Sequence, residues 1–113
     1  MRYTPENKKG NLMDWLDSIR TYKQEYRTYA LERMFKRKIN FLDIEEVIKN
    51  LEIIEEYPTD SPYPSCLALG YNKLKRPIHI VYSVNSLENV IYIITVYEPD
   101  IEKWESSFKR RKV

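Results

Sequence analysis

The only histidine of this 113-residue chain, His79, lies inside the strand-like apolar run 77–84. An imidazole titrates near neutral pH, so it can take up or release a proton under physiological conditions. Side chains alternate between the two faces of a strand, which places His79, Val81 and Ser83 together on one face. The sequence therefore predicts a proton-transfer group on the surface of a sheet.

A second apolar run, 90–97, is the predicted hairpin partner of the His79 strand. A hairpin centred on Leu87 places His79 opposite Thr95, with Tyr97 diagonally within reach on the same face. A slip of one residue in the turn would undo this pairing, because it moves every side chain to the other face. The pattern groups a histidine, a threonine and a tyrosine as candidates for acid and base catalysis.

Two arginines upstream add groups that bind phosphate. Arg33 and Arg37 are four residues apart, so on a helix they share one face, and Tyr29 extends the same stripe. Guanidinium groups bind phosphate bidentately and stay charged at any relevant pH. The alternative interpretation is a solvated helix edge whose arginines pair with acids such as Glu32.

The sequence gives little support for a metal site, a reactive thiol or a nucleotide-binding loop. Cys66 is the only cysteine, and neither it nor His79 has the neighbours of a zinc site, so we expect no metal and an inert, packed thiol. Gly-rich phosphate loops and nucleophile elbows are absent from the sequence. What remains is acid and base chemistry without a metal or a cofactor. Without a membrane-length apolar stretch or a secretory h-region, the protein is expected to be soluble and cytoplasmic.

The net charge of +2 hides a segregation of charge along the chain. Segments 28–38 and 102–112 are basic, whereas segment 43–60 between them is acidic. Such an arrangement can hold a polyanion at one face and a basic partner at another. The alternative is that these charges only solvate exposed helix faces.

The elements that must position these residues are helices followed by strands. Apolar and tyrosine residues at three- and four-residue steps predict one long helix, or two with a bend near 26–28, from Asn11 to about Lys38. Asn40 caps a second helix that ends near Asn50. The remaining predicted elements are strands at 52–57, 66–70, 77–84 and 90–97, and a short helix at 99–104.

This order of elements predicts the α+β class, with N-terminal helices packed on a four-stranded, mainly antiparallel sheet and a short C-terminal helix. The length fits a single domain over residues 1–113. Within it we expect frayed residues at 1–10, a helical extension at 11–27 and a motif-bearing domain at 28–111.

The linked motifs of residues 26–111 resemble the bacterial family catalogued as domain of unknown function 4258. They are Tyr29-Ala-Leu-Glu-Arg-Met34 with Arg37 and Ile39, Ile53-Ile-Glu-Glu-Tyr-Pro58, Pro62-Tyr-Pro-Ser-Cys-Leu67, Leu69-Gly70, Pro77-Ile-His-Ile-Val81, and Ile94-Thr-Val-Tyr-Glu-Pro-Asp100 with Trp104. That family is similar to the RelE/ParE-like toxins, whose fold packs N-terminal helices on an antiparallel sheet. The resemblance implies an endoribonuclease toxin paired with a small zinc-finger antitoxin of the YgiT type, the kind that accompanies MqsR-like toxins.

The resemblance also implies roles for individual residues. The family's arginines fall on Arg33 and Arg37, its strand histidine on His79, and its Thr-x-Tyr motif on Thr95 and Tyr97. We expect metal-independent RNA cleavage in which the ribose 2′-hydroxyl attacks the adjacent phosphate, with the histidine as base or acid. The arginines would stabilise the phosphorane, and the tyrosine would donate a hydrogen bond or stack on a base. Further residues expected to bind RNA are Tyr29, Lys36, Lys109, Arg110 and Arg111.

Tyr29 keeps two other interpretations open, because the family usually has a histidine at this position. One is a non-catalytic RelE-like module that binds an antitoxin or RNA. The other is an interaction protein whose tyrosine-rich helix faces a partner while His79 is merely packed.

Overall fold

A computed structural model describes residues 13–113 of the chain. They form three helices and five strands: α1 (Trp15–Thr21), β1 (Lys23–Tyr26), α2 (Thr28–Arg37), α3 (Phe41–Lys49), β2 (Glu52–Tyr57), β3 (Ser65–Tyr71), β4 (Pro77–Asn85) and β5 (Val90–Tyr97). The strands make one sheet in the order β1-β5-β4-β3-β2, in which β1 is parallel to β5 and the other pairs are antiparallel. No helix in this part of the chain is long and apolar enough to cross a membrane.

The expected four-stranded sheet is wrong, because the predicted helical extension contains a fifth strand. After α1, which Asp14 caps, the chain becomes extended, and β1 pairs in parallel with Val90–Ile93 of β5. Tyr22 and Tyr26 both pack against the core. Their spacing of four residues fits one helical turn and also two steps of a strand, so the periodicity did not distinguish the two structures. The predicted cap at Asn11 lies outside the described residues.

The two following helices agree more closely with the sequence. The Asn40 side chain accepts from the backbone N–H of Asp43, and the Asp43 carboxylate accepts from the backbone N–H of Asn40. This reciprocal pair satisfies two donors at the start of α3 and confirms the predicted cap. α2 ends at Arg37, and the next residue, Lys38, adopts the left-handed conformation, with φ of 54°, that commonly follows a helix.

One side of the sheet, the helix face, carries alternate apolar residues of β4, namely Ile78, Ile80, Tyr82 and Val84. They pack with residues of all three helices in one core. The Tyr82 hydroxyl donates to the backbone carbonyl of Trp15 at 2.8 Å. Cys66, also in this core, is fully buried, and burial raises the pKa of its thiol.

The opposite side, the tail face, carries His79, Val81 and Ser83 and is covered in part by the C-terminal segment, residues 98–113. The predicted C-terminal helix is wrong. One turn forms, in which the N–H groups of Lys103 and Trp104 share the carbonyl of Asp100, and a bridge then pairs Trp104 with Arg111. Pairing across the segment takes up backbone groups that a helix would use. Two ion pairs hold the segment over β2, from Lys109 to Glu52 at 3.1 Å and from Arg111 to Glu55.

Candidate anion-binding groove

A groove of about 720 Å³ lies among α2, the end of β5 and the C-terminal segment. Five of its lining residues are cationic and two are acidic. The lining consists of Arg33, Arg37, Arg76, Tyr97, Glu98, Pro99, Asp100, Ile101, Lys103, Trp104 and Arg111. An excess of cations around a concave surface concentrates the field there and attracts an anion.

Arg33 is held against the groove by two tyrosine rings. Its guanidinium carbon lies 5.4 Å from the ring centre of Tyr29 and 5.4 Å from that of Tyr97. Its Nη1 also donates to the Tyr29 hydroxyl. Ring faces attract a guanidinium electrostatically, so both contacts restrict the side chain. Tyr29 therefore positions an arginine of the groove.

The pairing of β4 with β5 differs by two residues from the expected one. His79 lies opposite Tyr97, and Thr95 lies opposite Val81. The turn pairs Asn85 with Val90, which is one residue away from the expected pairing. An irregularity between Val81 and Tyr82 then shifts the register by one more residue. Thr95 does not line the groove, and its hydroxyl is buried with no partner among the described residues.

His79 lies behind Tyr97 rather than in the groove. Its side chain is fully buried, with Nδ1 at 3.1 Å from the Tyr97 hydroxyl and Nε2 at 2.8 Å from the backbone carbonyl of Phe108. The Trp104 ring contacts the imidazole edge-on, with 4.5 Å between ring centres. Both ring nitrogens are therefore occupied, and Tyr97 stands between the histidine and the groove.

The surroundings keep both rings neutral. Burial lowers the pKa of His79, although the Phe108 carbonyl opposes this shift. Burial raises the pKa of Tyr97, although the charges of Arg111 and Arg33 act in the other direction. At neutral pH the pair is thus an uncharged phenol next to an uncharged imidazole.

Arg76 is a groove residue that the sequence did not single out. It pairs with Glu98, and its guanidinium donates to the carbonyls of Arg37 and Lys38 at the end of α2. It therefore satisfies carbonyls that the helix leaves unpaired and fixes this end of α2 beside β5. Its only signal in the sequence is its place just before the His79 strand.

The predicted basic residues divide between the groove and the rest of the surface. Arg111 lines the groove, where it stacks over Trp104 at 4.7 Å while pairing with Glu55. Lys109 pairs with Glu52 at 3.1 Å. The remaining two, Lys36 and Arg110, are exposed outside the groove. Part of the basic tail therefore neutralises the acidic strand of its own chain.

Within residues 13–113, no group of three or more His, Cys, Asp or Glu side chains is arranged to hold a metal ion. The sequence model of one family, Domain of unknown function (DUF4258), matches residues 26–98. The chain belongs to this family. No match is found among curated proteins. The region shared with other DUF4258 chains includes Arg33, Arg37, His79 and Tyr97 but stops at Glu98, before most of the C-terminal segment.

Proposed function

We propose that this DUF4258 protein is a cytoplasmic, toxin-type endoribonuclease that cleaves RNA without a metal ion. The observation that supports it best is the arrangement at Tyr97. Its hydroxyl is held by a buried imidazole, while the Arg33 guanidinium lies over its ring. A proton-transfer group thus lies beside a cation that can neutralise a phosphate.

Two further cations of the groove remain available to an anionic substrate. Within residues 13–113, neither Arg37 nor Lys103 forms an ion pair, whereas Arg76 and Arg111 are paired with carboxylates. Unpaired cations bind phosphate without first breaking an internal contact. We assign phosphate binding to Arg33, Arg37 and Lys103, and a structural role to Arg76.

The reaction needs no activated side-chain nucleophile, because the RNA supplies its own. The ribose 2′ oxygen forms a bond to the adjacent phosphorus and loses its proton to a base in the groove. The bond from phosphorus to the 5′ oxygen breaks, and that oxygen takes a proton from water. Arginines placed around the phosphate stabilise the negative charge that develops in the transition state. The products are a 2′,3′-cyclic phosphate and a 5′-hydroxyl end.

The second candidate function is a non-catalytic RelE-like module that binds RNA or an antitoxin. The observation that favours it is that the Tyr29 hydroxyl is occupied by Arg33, at a position where the resemblance implies a histidine. The zinc-finger antitoxin implied by the resemblance would need an apolar surface. Exposed apolar side chains occur on two consecutive helices, at Leu31 and Phe35 of α2 and at Phe41 and Leu42 of α3.

The test is incubation of the purified chain with labelled RNA in EDTA, with anisotropy used to measure binding and gels to measure cleavage. We expect cyclic-phosphate products, and a loss of roughly 10²–10³ in rate for Arg33→Ala and for Arg37→Ala. Lys49→Ala removes an exposed cation outside the groove and serves as the matched control.

Each result separates the candidates. RNA that binds in an arginine-dependent way but stays intact would favour the non-catalytic module. Cleavage that disappears in EDTA would contradict the metal-independent mechanism. RNA that neither binds nor is cut would overturn both RNA functions.

A further inference from the structure

We propose that Tyr97 is the group that contacts the ribose 2′-hydroxyl, and that His79 acts through it as a positioning residue and proton acceptor. The orientation of the imidazole is in turn set by the C-terminal segment. This inference rests on the proposed ribonuclease function and deepens it. It also changes the role of the histidine, which the resemblance implied to be the base or acid itself.

The first step of the argument is the tautomer of His79. The Phe108 carbonyl can only accept a hydrogen bond, so Nε2, at 2.8 Å from it, must carry the proton. A neutral imidazole then has no hydrogen on Nδ1, which can only accept. The Tyr97 hydroxyl, at 3.1 Å, is therefore the donor in that contact. Its proton points at the histidine, and its oxygen keeps lone pairs that can accept a further hydrogen bond.

The second step is the environment of the His79 imidazole, which would receive the proton. The groups around the imidazole are Tyr97 from β5, Leu69 from β3, Glu55 from β2, and Trp104, Phe108 and Arg111 from the C-terminal segment. Glu55 and the Phe108 carbonyl favour a protonated ring, whereas burial and Arg111 oppose it. The imidazolium is therefore disfavoured at rest and has two groups that stabilise it during the reaction.

The third step is the proton balance. As the 2′ oxygen bonds to phosphorus, its proton passes to Oη of Tyr97, and the hydroxyl proton of Tyr97 passes to Nδ1 of His79. The 5′ oxygen leaves and takes a proton from water. His79 then returns its proton through Tyr97 to the hydroxide that remains. The pair begins and ends neutral, so one turnover needs no other reagent.

The fourth step is the origin of the carbonyl that fixes the ring. The family match stops at Glu98, so this carbonyl belongs to a part of the chain outside the matched region. Phe108 has φ of 61°, a left-handed conformation that is uncommon for a residue with a side chain. The backbone is thus held in an unfavourable conformation at the residue whose carbonyl meets the imidazole.

The direct test uses the full chain and nuclear magnetic resonance, because a single histidine gives one unambiguous set of imidazole signals. In uniformly ¹⁵N-labelled protein we expect the Nε2–H tautomer and a pKa below 6.5 for His79. Tyr97→Phe should shift the Nδ1 resonance, whereas the control Tyr71→Phe should not. An Nδ1–H tautomer, or an Nδ1 signal indifferent to Tyr97→Phe, would overturn the relay.

The kinetic test compares single and double variants in RNA cleavage. Loss of a general base typically lowers a rate by roughly 10²–10⁴, which we expect for Tyr97→Phe. Adding His79→Gln to Tyr97→Phe should lower the rate little further, because both residues act as one unit. Independent, multiplying effects would contradict the relay while leaving RNA cleavage itself established. An inactive wild type that still shows the expected tautomer would instead contradict the proposed function and, with it, the catalytic role of the pair.

Phe108→Gly provides a matched control for the C-terminal segment. Glycine adopts positive φ readily and keeps the backbone carbonyl, so the Nε2–H tautomer of His79 should be retained. A changed tautomer in this variant would show that the Phe108 side chain, rather than its carbonyl, sets the ring, and would overturn that part of the inference.

Discussion

On each face of the sheet, a buried polar ring forms a hydrogen bond with a backbone carbonyl, but the two contacts serve different roles. On the helix face, the buried Tyr82 hydroxyl donates to the Trp15 carbonyl at 2.8 Å. On the tail face, the buried imidazole of His79 meets the Phe108 carbonyl, also at 2.8 Å. In both cases a buried polar ring is satisfied by a backbone carbonyl, as burial requires.

The difference lies in what the rest of each ring meets. Tyr82 has its single polar atom at the Trp15 carbonyl, beside the Cys66 thiol and inside the core, and burial raises its pKa. His79 has a second nitrogen, and that nitrogen contacts the hydroxyl of Tyr97, a residue that lines the groove. The buried contacts of the helix face therefore stabilise the fold, whereas those of the tail face also orient the Tyr97 hydroxyl.

The largest effect that tests this contrast is expected from neighbouring residues of β4. Ile80 is fully buried on the helix face, and Ile80→Ala should lower the free energy of unfolding by about 2–5 kcal/mol. Val81 is only half-buried on the tail face, so Val81→Ala should lower the free energy of unfolding by less than Ile80→Ala does. Urea unfolding of both variants measures the difference. Equal costs would show that the two faces contribute alike to stability.

Much of the fold follows from local pattern, and the part that was missed depends on distant contacts. The cap at Asn40 and the whole of β5 were predicted correctly because their signals lie within a few residues. β1 was missed because Tyr22 and Tyr26 fit a helix as well as a strand, and only its pairing with β5, far along the chain, decides between them.

The candidate site divides in the same way. Arg33, Arg37 and Tyr97 were all selected from the sequence, and the structure places them along one groove. The pairing of His79 with Tyr97 depends on an irregularity between β4 and β5, in which β5 carries one extra residue, Ile94, and strict alternation cannot reveal it. The contact of the Phe108 carbonyl with His79 could not be predicted either, because every residue has a backbone carbonyl and the sequence does not show which one is used.

A second prediction compares the removal of one hydroxyl from each face. Tyr82→Phe leaves the buried Trp15 carbonyl without its partner, so it should cost about 1–3 kcal/mol of unfolding free energy. RNA binding should be unchanged in this variant. Tyr97→Phe leaves the buried Nδ1 of His79 without its donor, so it should cost a similar amount of unfolding free energy and in addition lower cleavage greatly. The contrast fails if Tyr82→Phe weakens RNA binding in anisotropy titrations while the protein remains folded.

The third prediction concerns pH. Because burial lowers the pKa of His79 in the folded state, the unfolded chain binds a proton first as the pH falls below 6.5. Stability due to a neutral His79 is therefore complete above pH 6.5 and is lost as the pH falls toward the folded pKa. The change in unfolding free energy with pH that one titrating group contributes cannot exceed about 1.4 kcal/mol per pH unit.

Urea unfolding at several pH values checks this dependence, with His79→Gln as the control. The variant should lack the part of the slope that lies just below pH 6.5. An identical slope in both proteins would mean that the imidazole takes up its proton as easily in the folded state as in the unfolded one.

The smallest expected effect concerns how the C-terminal segment is held on the tail face. Arg111 pairs with Glu55 and stacks over Trp104, whereas its neighbour Arg110 is exposed. Exposed ion pairs contribute little, so Arg111→Gln should cost no more than about 1 kcal/mol and Arg110→Gln still less. The sharper readout is amide hydrogen exchange at Lys112, whose N–H donates to the carbonyl of Lys103 across the segment. Faster exchange at Lys112 in Arg111→Gln alone would show that this ion pair fastens the segment that carries the Phe108 carbonyl. Unchanged exchange would assign that role to the packing of Trp104 on His79, and the tail face would then resemble the helix face in depending on buried contacts.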